Sequence, residues 1–375
     1  MTTLLYILGF IAYFLAYVLV GRIIYNQLYV VIKKDFRIVY WIIITLIGII
    51  FPLCSMISYF TRVGGIIEIL GNIGFSILAF LLYLVLFGLI LKIILLIMMK
   101  FIKKDIVQRK INQFIIFLVS CFLSLSIVGY GFLSLHVPSV TKIDAGKGNN
   151  SLKIVCLSDI HYASFGSTLN ISKMVKRINN LEPDIVLFIG DVIDSDIDKI
   201  NKNDFITNVN NIKSTYGVFA ITGNHELKYN TLEEIKDFYL KTNVRLLLDE
   251  EVVIDEKIKI IGRIDYSYPS RKELKEIVSS IDLPYIVMDH QPQSYRESLK
   301  EGASFQISGH THKGQLFPFQ IPVSIFYRLM YKTWYIDGIY KKGDFTSYIT
   351  RGYGAWGFQM RTNGRSEIVS VNFKY

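Results

Sequence analysis

The run Ile185-Val186-Leu187-Phe188-Ile189-Gly190-Asp191 decides how the second half of this chain is read. Five consecutive apolar residues, too few for a helix, end on a Gly-Asp turn, as expected of a buried strand that empties into a loop. The same pattern recurs on both sides. Ile154–Leu157 leads into Asp159-Ile160-His161, and Val218–Ile221 into Gly223-Asn224-His225-Glu226. Further on, Tyr285–Met288 leads into Asp289-His290, and Phe305–Ser308 into Gly309-His310-Thr311-His312. Amphipathic stretches near 169–181 and 201–213 separate the first three runs, which reads most simply as strand, helix, strand, helix, strand. In such folds ligands gather at the carboxyl ends of strands, where all of these blocks fall.

Five of the six histidines lie in those blocks. Taken singly, each block is ordinary: Asp-x-His can be an Asx-turn, Gly-Asp and Gly-Asn are common turn dipeptides, and a lone His290 can be a hydrogen-bonded residue. Together they bring imidazole nitrogens and carboxylate oxygens to five strand ends. That donor mix suits Zn, Fe and Mn, and it is rich enough to hold more than one ion.

The first half reads as membrane. Apolar stretches near 3–21, 38–56, 74–91 and 113–133 contain no charged side chain, and each is about long enough to cross a hydrocarbon layer of ~30 Å. Four spans are expected, the third able to start before Asn72 or to run past Lys92 to Met99. The first reads as a span rather than a cleaved signal, because no Lys or Arg precedes it and its apolar run is long. Arg22, Lys33, Lys34 and Arg37 lie between spans one and two, and Lys100, Lys103, Lys104, Arg109 and Lys110 between spans three and four. Positive charge is retained on the cytoplasmic side, so both chain ends are expected outside the cytoplasm, in a multi-pass cell-membrane protein.

Charge follows the same division. Of the net +10, +9 comes from residues 1–150, with 13 Lys and Arg against 4 Asp and Glu, whereas residues 151–375 carry 28 against 27. Basicity here is a topology signal, and no nucleic-acid partner is expected. Cys54, Cys121 and Cys156 fall in apolar stretches and give no disulfide framework. The expected domains are a membrane region at 1–137, a Gly-, Asn- and Lys-rich linker at 138–150, and a soluble domain at 151–375.

The ordered set Asp-x-His, Gly-Asp-x-x-Asp, Gly-Asn-His-Glu, lone His and Gly-His-x-His, across residues 157–312, resembles the calcineurin-like metallophosphoesterases. It looks most like a bacterial, membrane-anchored branch whose last block reads Gly-His-Thr-His-Gly-Gly-Gln; here Lys313 replaces the first trailing glycine. The resemblance implies an α/β domain of two facing β-sheets flanked by helices, an αββα sandwich, attached to the helical membrane region. It also implies two divalent metal ions, Mn, Fe or Zn. Asp159, His161, Asp191 and His312 would hold one, and Asp191, Asn224, His290 and His310 the other, with Asp191 shared. His225 would stand beside the leaving group as acid or charge stabiliser, and Asp194 would orient ligands by hydrogen bonds. Glu226 would either do likewise or serve as a helix-start residue.

Lys313 is a candidate for the substrate phosphate, with a solvated loop lysine as the alternative, and Arg351, Arg361 and Arg365 are weaker candidates for the same role. Leu316–Ile336 is apolar and aromatic, with Arg328 and Lys332 interspersed. It is either core or a segment that rests at a membrane interface and helps a lipid-linked phosphate reach the metals.

The expected function is hydrolysis of a phosphomonoester, phosphodiester or pyrophosphate bond in an envelope or lipid-linked substrate, with the lipid bilayer as a partner. The competing readings are a cytoplasm-facing nucleotide or phosphoprotein hydrolase, and a non-catalytic membrane receptor or accessory protein.

Overall fold

The computed structural model describes residues 14, 17–26, 28–29, 32, 34–61, 66–98, 101, 110–164, 166–280 and 282–375. It divides into two compact units, Met1–Tyr130 and Gly131–Tyr375.

The first unit is helical: α1 (Arg37–Thr61), α2 (Ile66–Met98) and most of α3 (Lys110–His136). Glu68–Met98 and Phe114–His136 are long and apolar enough to cross a membrane, and Arg37–Ile49 is a shorter apolar stretch. Large apolar side chains such as Ile42, Leu46, Ile93 and Leu118 face outward, an arrangement that suits lipid rather than water. The expected spans near 38–56, 74–91 and 113–133 fall inside α1, α2 and α3, while that near 3–21 lies mostly outside the described residues. Helix α2 runs through both Asn72 and Lys92, the longer of the extents the sequence allowed. Glu68 in its first turn complements the helix dipole.

The second unit holds two six-stranded sheets. One has the order β1 (Ser139–Gly146), β12 (Glu367–Lys374), β2 (Ser151–Leu157), β3 (Ile185–Ile189), β4 (Val218–Ile221), β5 (Val244–Leu246). The other has the order β10 (Gly338–Lys342), β11 (Phe345–Ile349), β9 (Phe305–Ser308), β8 (Tyr285–Met288), β7 (Ile258–Gly262), β6 (Glu250–Ile254). Strands β2 to β5 are parallel, as are β7, β8, β9 and β11; β12, β6 and β10 pair antiparallel to β2, β7 and β11. Both sheets are thus mixed.

Strand alternation explains why these short apolar runs are buried on both faces. Ile154, Cys156, Ile185 and Leu187 face the second sheet and meet Ile260, Ile286, Met288 and Ile307 in the inter-sheet core. Val155, Leu157, Val186 and Phe188 face the other way, onto α4 (Ile171–Asn179), α5 (Lys202–Val209) and α7 (Leu232–Tyr239), through Met174, Ile178, Phe205 and Phe238. Ile261, Tyr285 and Val287 form a third cluster with Leu274 and Tyr295 on the outer face of the second sheet. The expected layers, helix, sheet, sheet, helix, are those observed.

The expected linker at 138–150 is different. Ser139–Gly146 forms an edge strand paired with β12 over eight residues, burying Ile143 and Ala145. The Gly-, Asn- and Lys-rich composition reflects only the turn that follows, at 147–150. The end of α3 is also part of this unit rather than a tether. Its last four carbonyls, which lack helical partners by geometry, are all satisfied. Val137 N donates to Leu133 O (2.9 Å), Ser366 N to Ser134 O (3.0 Å), Ser366 Oγ to Leu135 O (2.9 Å) and Arg177 Nη2 to His136 O (3.1 Å). The guanidinium also places positive charge at the negative end of the helix. Helix α3 is therefore clamped at its exit.

Candidate metal centre

The loops after β2, β3, β4, β8 and β9 converge at one end of the sandwich. The first two run side by side: Asp159 N donates to Gly190 O (3.1 Å), His161 N to Asp191 O (2.9 Å) and Tyr162 N to Val192 O (2.8 Å). Asp159, His161, Asp191, His310 and His312 all have φ between 48° and 69°, a left-handed backbone that is uncommon for non-glycine residues. Such strain tends to gather at functional sites, where the surrounding structure enforces it. Two glycines allow the crowding. A Cβ on Gly223 would overlap Asp191 Oδ1, and one on Gly309 would overlap Asp159 Oδ2 and Ser158 Oγ.

Three overlapping groups of donor atoms result, Asp159, His161 and His312 in one, Asp191, His290 and His310 in another, and His161, Asp191 and His225 between them, with ligand atoms in each within 4.8 Å of one another. In the first, His161 Nδ1 donates to Asp194 Oδ2 (3.1 Å), which leaves Nε2 with its lone pair. That nitrogen lies 3.0 Å from His312 Nε2, which is itself 3.3 Å from Asp159 Oδ1. In the second, His290 Nδ1 donates to Ile189 O (2.7 Å) and Nε2 stands 3.2 Å from Asp191 Oδ2. Both His290 Nε2 and Asn224 Oδ1 are buried without a hydrogen-bond partner. Buried polar atoms without partners cost free energy unless something else satisfies them, and converging imidazole, carboxylate and amide groups fit divalent cations. Asp191 stands where the groups meet, 3.9 Å from His161 Nε2 on one side.

Charge is arranged to suit. Burial alone would raise the Asp191 carboxyl, but His290, then His225 and His161, hold it well below the usual range. Burial also depresses His312, to about 3, and together with His290 it depresses His310, so both rings are neutral and able to coordinate. At His290 the opposing pull of Asp191 outweighs burial and raises the pKa.

His225 sits at the rim. Its Nδ1 donates to Asp194 Oδ1 (2.6 Å), its backbone N–H to Asp191 Oδ1 (2.8 Å), and Nε2 is 3.9 Å from Asp191 Oδ2. Burial lowers its pKa, but Asp194 and Asp191 more than offset that and raise it. The carboxylate of Asp194 thus orients two rings, one in the ligand group and one beside it.

Glu226 does both jobs considered for it. It stands in the first turn of the short helix α6 (Asn224–Tyr229), and its buried carboxylate accepts from the N–H groups of Asp191 (3.0 Å), Val192 (2.5 Å), Ile193 (2.9 Å) and Gly223 (2.9 Å). Burial, then the neighbouring Asp191, push its pKa up to about 7. Glu226→Gln puts an NH2 where an acceptor is needed, and should cost about 2–4 kcal/mol of stability, read from the unfolding midpoint of the full chain in detergent. An unchanged midpoint would remove Glu226 from the framework.

The cations expected at the substrate phosphate are committed elsewhere. Lys313 Nζ pairs with Asp337 (2.8 Å). Arg351 Nη2 pairs with Glu367 (2.6 Å), which is fully buried. Arg361 is itself fully buried and donates to the carbonyls of Gly354 (2.5 Å), His312 (3.2 Å) and Arg351, with burial lowering its pKa to about 10. The two arginines brace the ligand loops, held by carbonyls, the Glu367 carboxylate and, at Arg351, the Thr141 hydroxyl; Arg365 is exposed. Asp289, adjacent to His290, is taken by Arg271 in a bidentate pair (3.0 and 2.5 Å). Arg271 and Gln315, whose side chain joins Trp356 to the loop after β9, were not singled out from sequence. Arg271 has no local motif of its own, and Gln315, although it closes the Gly-His-Thr-His block, carried no role that the sequence alone could assign.

The family model for calcineurin-like phosphoesterase matches residues 152–314. A metallophosphoesterase of Helicobacter pylori is 36% identical over 262 residues, covering 65% of this chain and 67% of that protein. One from Campylobacter jejuni is 31% identical over 280 residues, covering 72% and 71%. A Bos taurus transmembrane protein with a metallophosphoesterase domain is 28% identical over 277 residues, covering 66% and 59%. The chain belongs to the calcineurin-like metallophosphoesterases. It is a metal-dependent phosphoesterase.

Proposed function

We propose that this protein is a membrane-anchored two-metal phosphoesterase that hydrolyses a phosphomonoester, phosphodiester or pyrophosphate bond of an envelope or lipid-linked substrate outside the cytoplasm. The observation that carries the reading is the position of Asp191, whose carboxylate meets both donor groups. Asp159, His161, Asp191 and His312 hold one ion and Asp191, Asn224, His290 and His310 the other; the donors suit Mn, Fe or Zn. When bound, such ions polarise phosphoryl oxygens and acidify water. The chain's own residues do the rest. Asp194 fixes His161 through Nδ1, leaving Nε2 for an ion, and it holds His225 through Nδ1, so that its Nε2 would be free to serve the leaving oxygen as acid or charge stabiliser.

Membrane anchoring is supported by two helices of sufficient length and apolarity, and the outward orientation by the basic residues flanking the spans. Two measurements test the proposal. Purified full-length protein should contain about two metals per chain and cleave at least one class in a screen of monoesters, diesters and pyrophosphates, with chelation abolishing turnover. Asn149→Cys, at an exposed turn, should react with a membrane-impermeant maleimide in intact cells. Metal-independent turnover would refute the chemistry, and labelling only after lysis would refute the topology.

A further inference from the structure

Helix α9 (Gln320–Tyr331) has its amphipathicity inverted. Tyr327 is its one buried residue, and Val323, Ser324 and Tyr331 lie half-buried on the same side, at helical spacing. The side toward solvent carries Ile325, Phe326, Leu329 and Met330, the last two 74% and 62% exposed. Phe317 before the helix and Trp334 after it extend this face. A helix that settles on a soluble core does the reverse, turning its apolar stripe inward.

We propose that this face docks on the lipid bilayer, and that a lipid-borne phosphoester enters the metal centre along it. The substrate half of the proposal rests on the phosphoesterase reading above. Three observations favour lipid as the occupant. The second unit begins in the last turns of an apolar helix fit to span a membrane, Phe114–His136, and within that unit Leu135 and His136 are hydrogen-bonded to Ser366 and Arg177. The segment leading into α9 adjoins that end: Phe317 N donates to Thr362 Oγ1 (2.8 Å), and the Thr362 methyl packs against Gly131. Finally, cations collect at the far end of the face, where Arg328 lies 5.9 Å over the Trp334 ring and Lys332 is exposed. Apolar and aromatic groups edged by cations suit the headgroup boundary of an anionic membrane. The path to the chemistry is short. Gln315 exchanges two hydrogen bonds with the Trp356 backbone (both 3.0 Å), and the exposed Trp356 ring stands 5.9 Å from the His225 ring.

The test uses full-length protein in nanodiscs of phosphatidylcholine and phosphatidylglycerol, with Trp41→Phe and Trp356→Phe leaving Trp334 as the reporter. Lipids brominated high on the acyl chain should quench Trp334 about twofold or more. Adding Ile325→Glu and Leu329→Glu should abolish the quenching. In the native-tryptophan background the same pair should raise KM for a disc-embedded phosphate ester about tenfold, with KM for a water-soluble nitrophenyl phosphodiester unchanged. An unquenched Trp334 overturns the proposal, as does Trp334 protection that appears only with two chains per disc, which assigns the face to a second copy. Quenching needs no catalysis, so a protein that docks but cleaves neither ester refutes the phosphoesterase reading separately.

Discussion

Asp191→Asn should lower kcat/KM by at least about 10³-fold, because several kcal/mol of charge stabilisation goes with the ions. Asparagine keeps the shape but replaces one carboxylate oxygen by an NH2. In the present geometry that donor would face His290 Nε2 at 3.2 Å or the His225 backbone N–H at 2.8 Å, and no negative charge would remain where the donor groups meet. Metal content should fall below two per chain, with the folded state retained, since Glu226 fixes the loop through backbone N–H groups that the substitution leaves in place. Steady-state kinetics beside elemental analysis checks both. Full activity with an unchanged metal content would exclude Asp191 as the shared ligand.

His225→Ala should act differently, losing about 10²–10⁴-fold in kcat while both metals stay. Asp194 holds the ring through Nδ1, and although His225 lies within reach of His161 and Asp191, the proposed ligand sets do not use it, so its removal takes away a proton donor rather than a ligand. The loss should depend on the leaving group. An alkyl phosphodiester, whose alkoxide needs a proton, should suffer the full effect, and a nitrophenyl ester, whose leaving group needs none, much less. Equal losses for both would make His225 a ligand or a structural residue, a possibility that its 3.9 Å approach to Asp191 Oδ2 makes worth testing. Normal turnover of the alkyl ester would remove it from the chemistry.

The sequence announced the ligand loops because the physics there is local. A strand buried on both faces must be a short apolar run, a loop at its carboxyl end must begin with a turn residue, and a metal needs His or Asp within reach of that turn; Ile185–Asp191 contains all three, with Asp191 as the donor. Order along the chain then supplied the rest. What stayed hidden depends on distant partners. Nothing near Arg351 or Arg361 shows that Glu367 and three carbonyls would capture them, so they looked like phosphate ligands until the fold placed their partners beside them. Ser139–Gly146 looked like a linker because a strand at a sheet edge needs only two inward side chains, Ile143 and Ala145, and leaves the remainder polar. Leu316–Ile336 could not be apportioned between core and surface from composition, since apolar residues are equally apolar on either side of a helix; only the burial of Tyr327 against the exposure of Leu329 shows which way it turns.

The account stands most directly on the sharing of Asp191, and anomalous diffraction from crystals grown with Mn tests it. Two anomalous peaks about 3.5–4 Å apart, one by Asp159, His161 and His312 and the other by His290, His310 and Asn224, with the Asp191 carboxylate between them, are the expected result. A single peak, or a pair with the Asp191 side chain turned away from one or both, would contradict it.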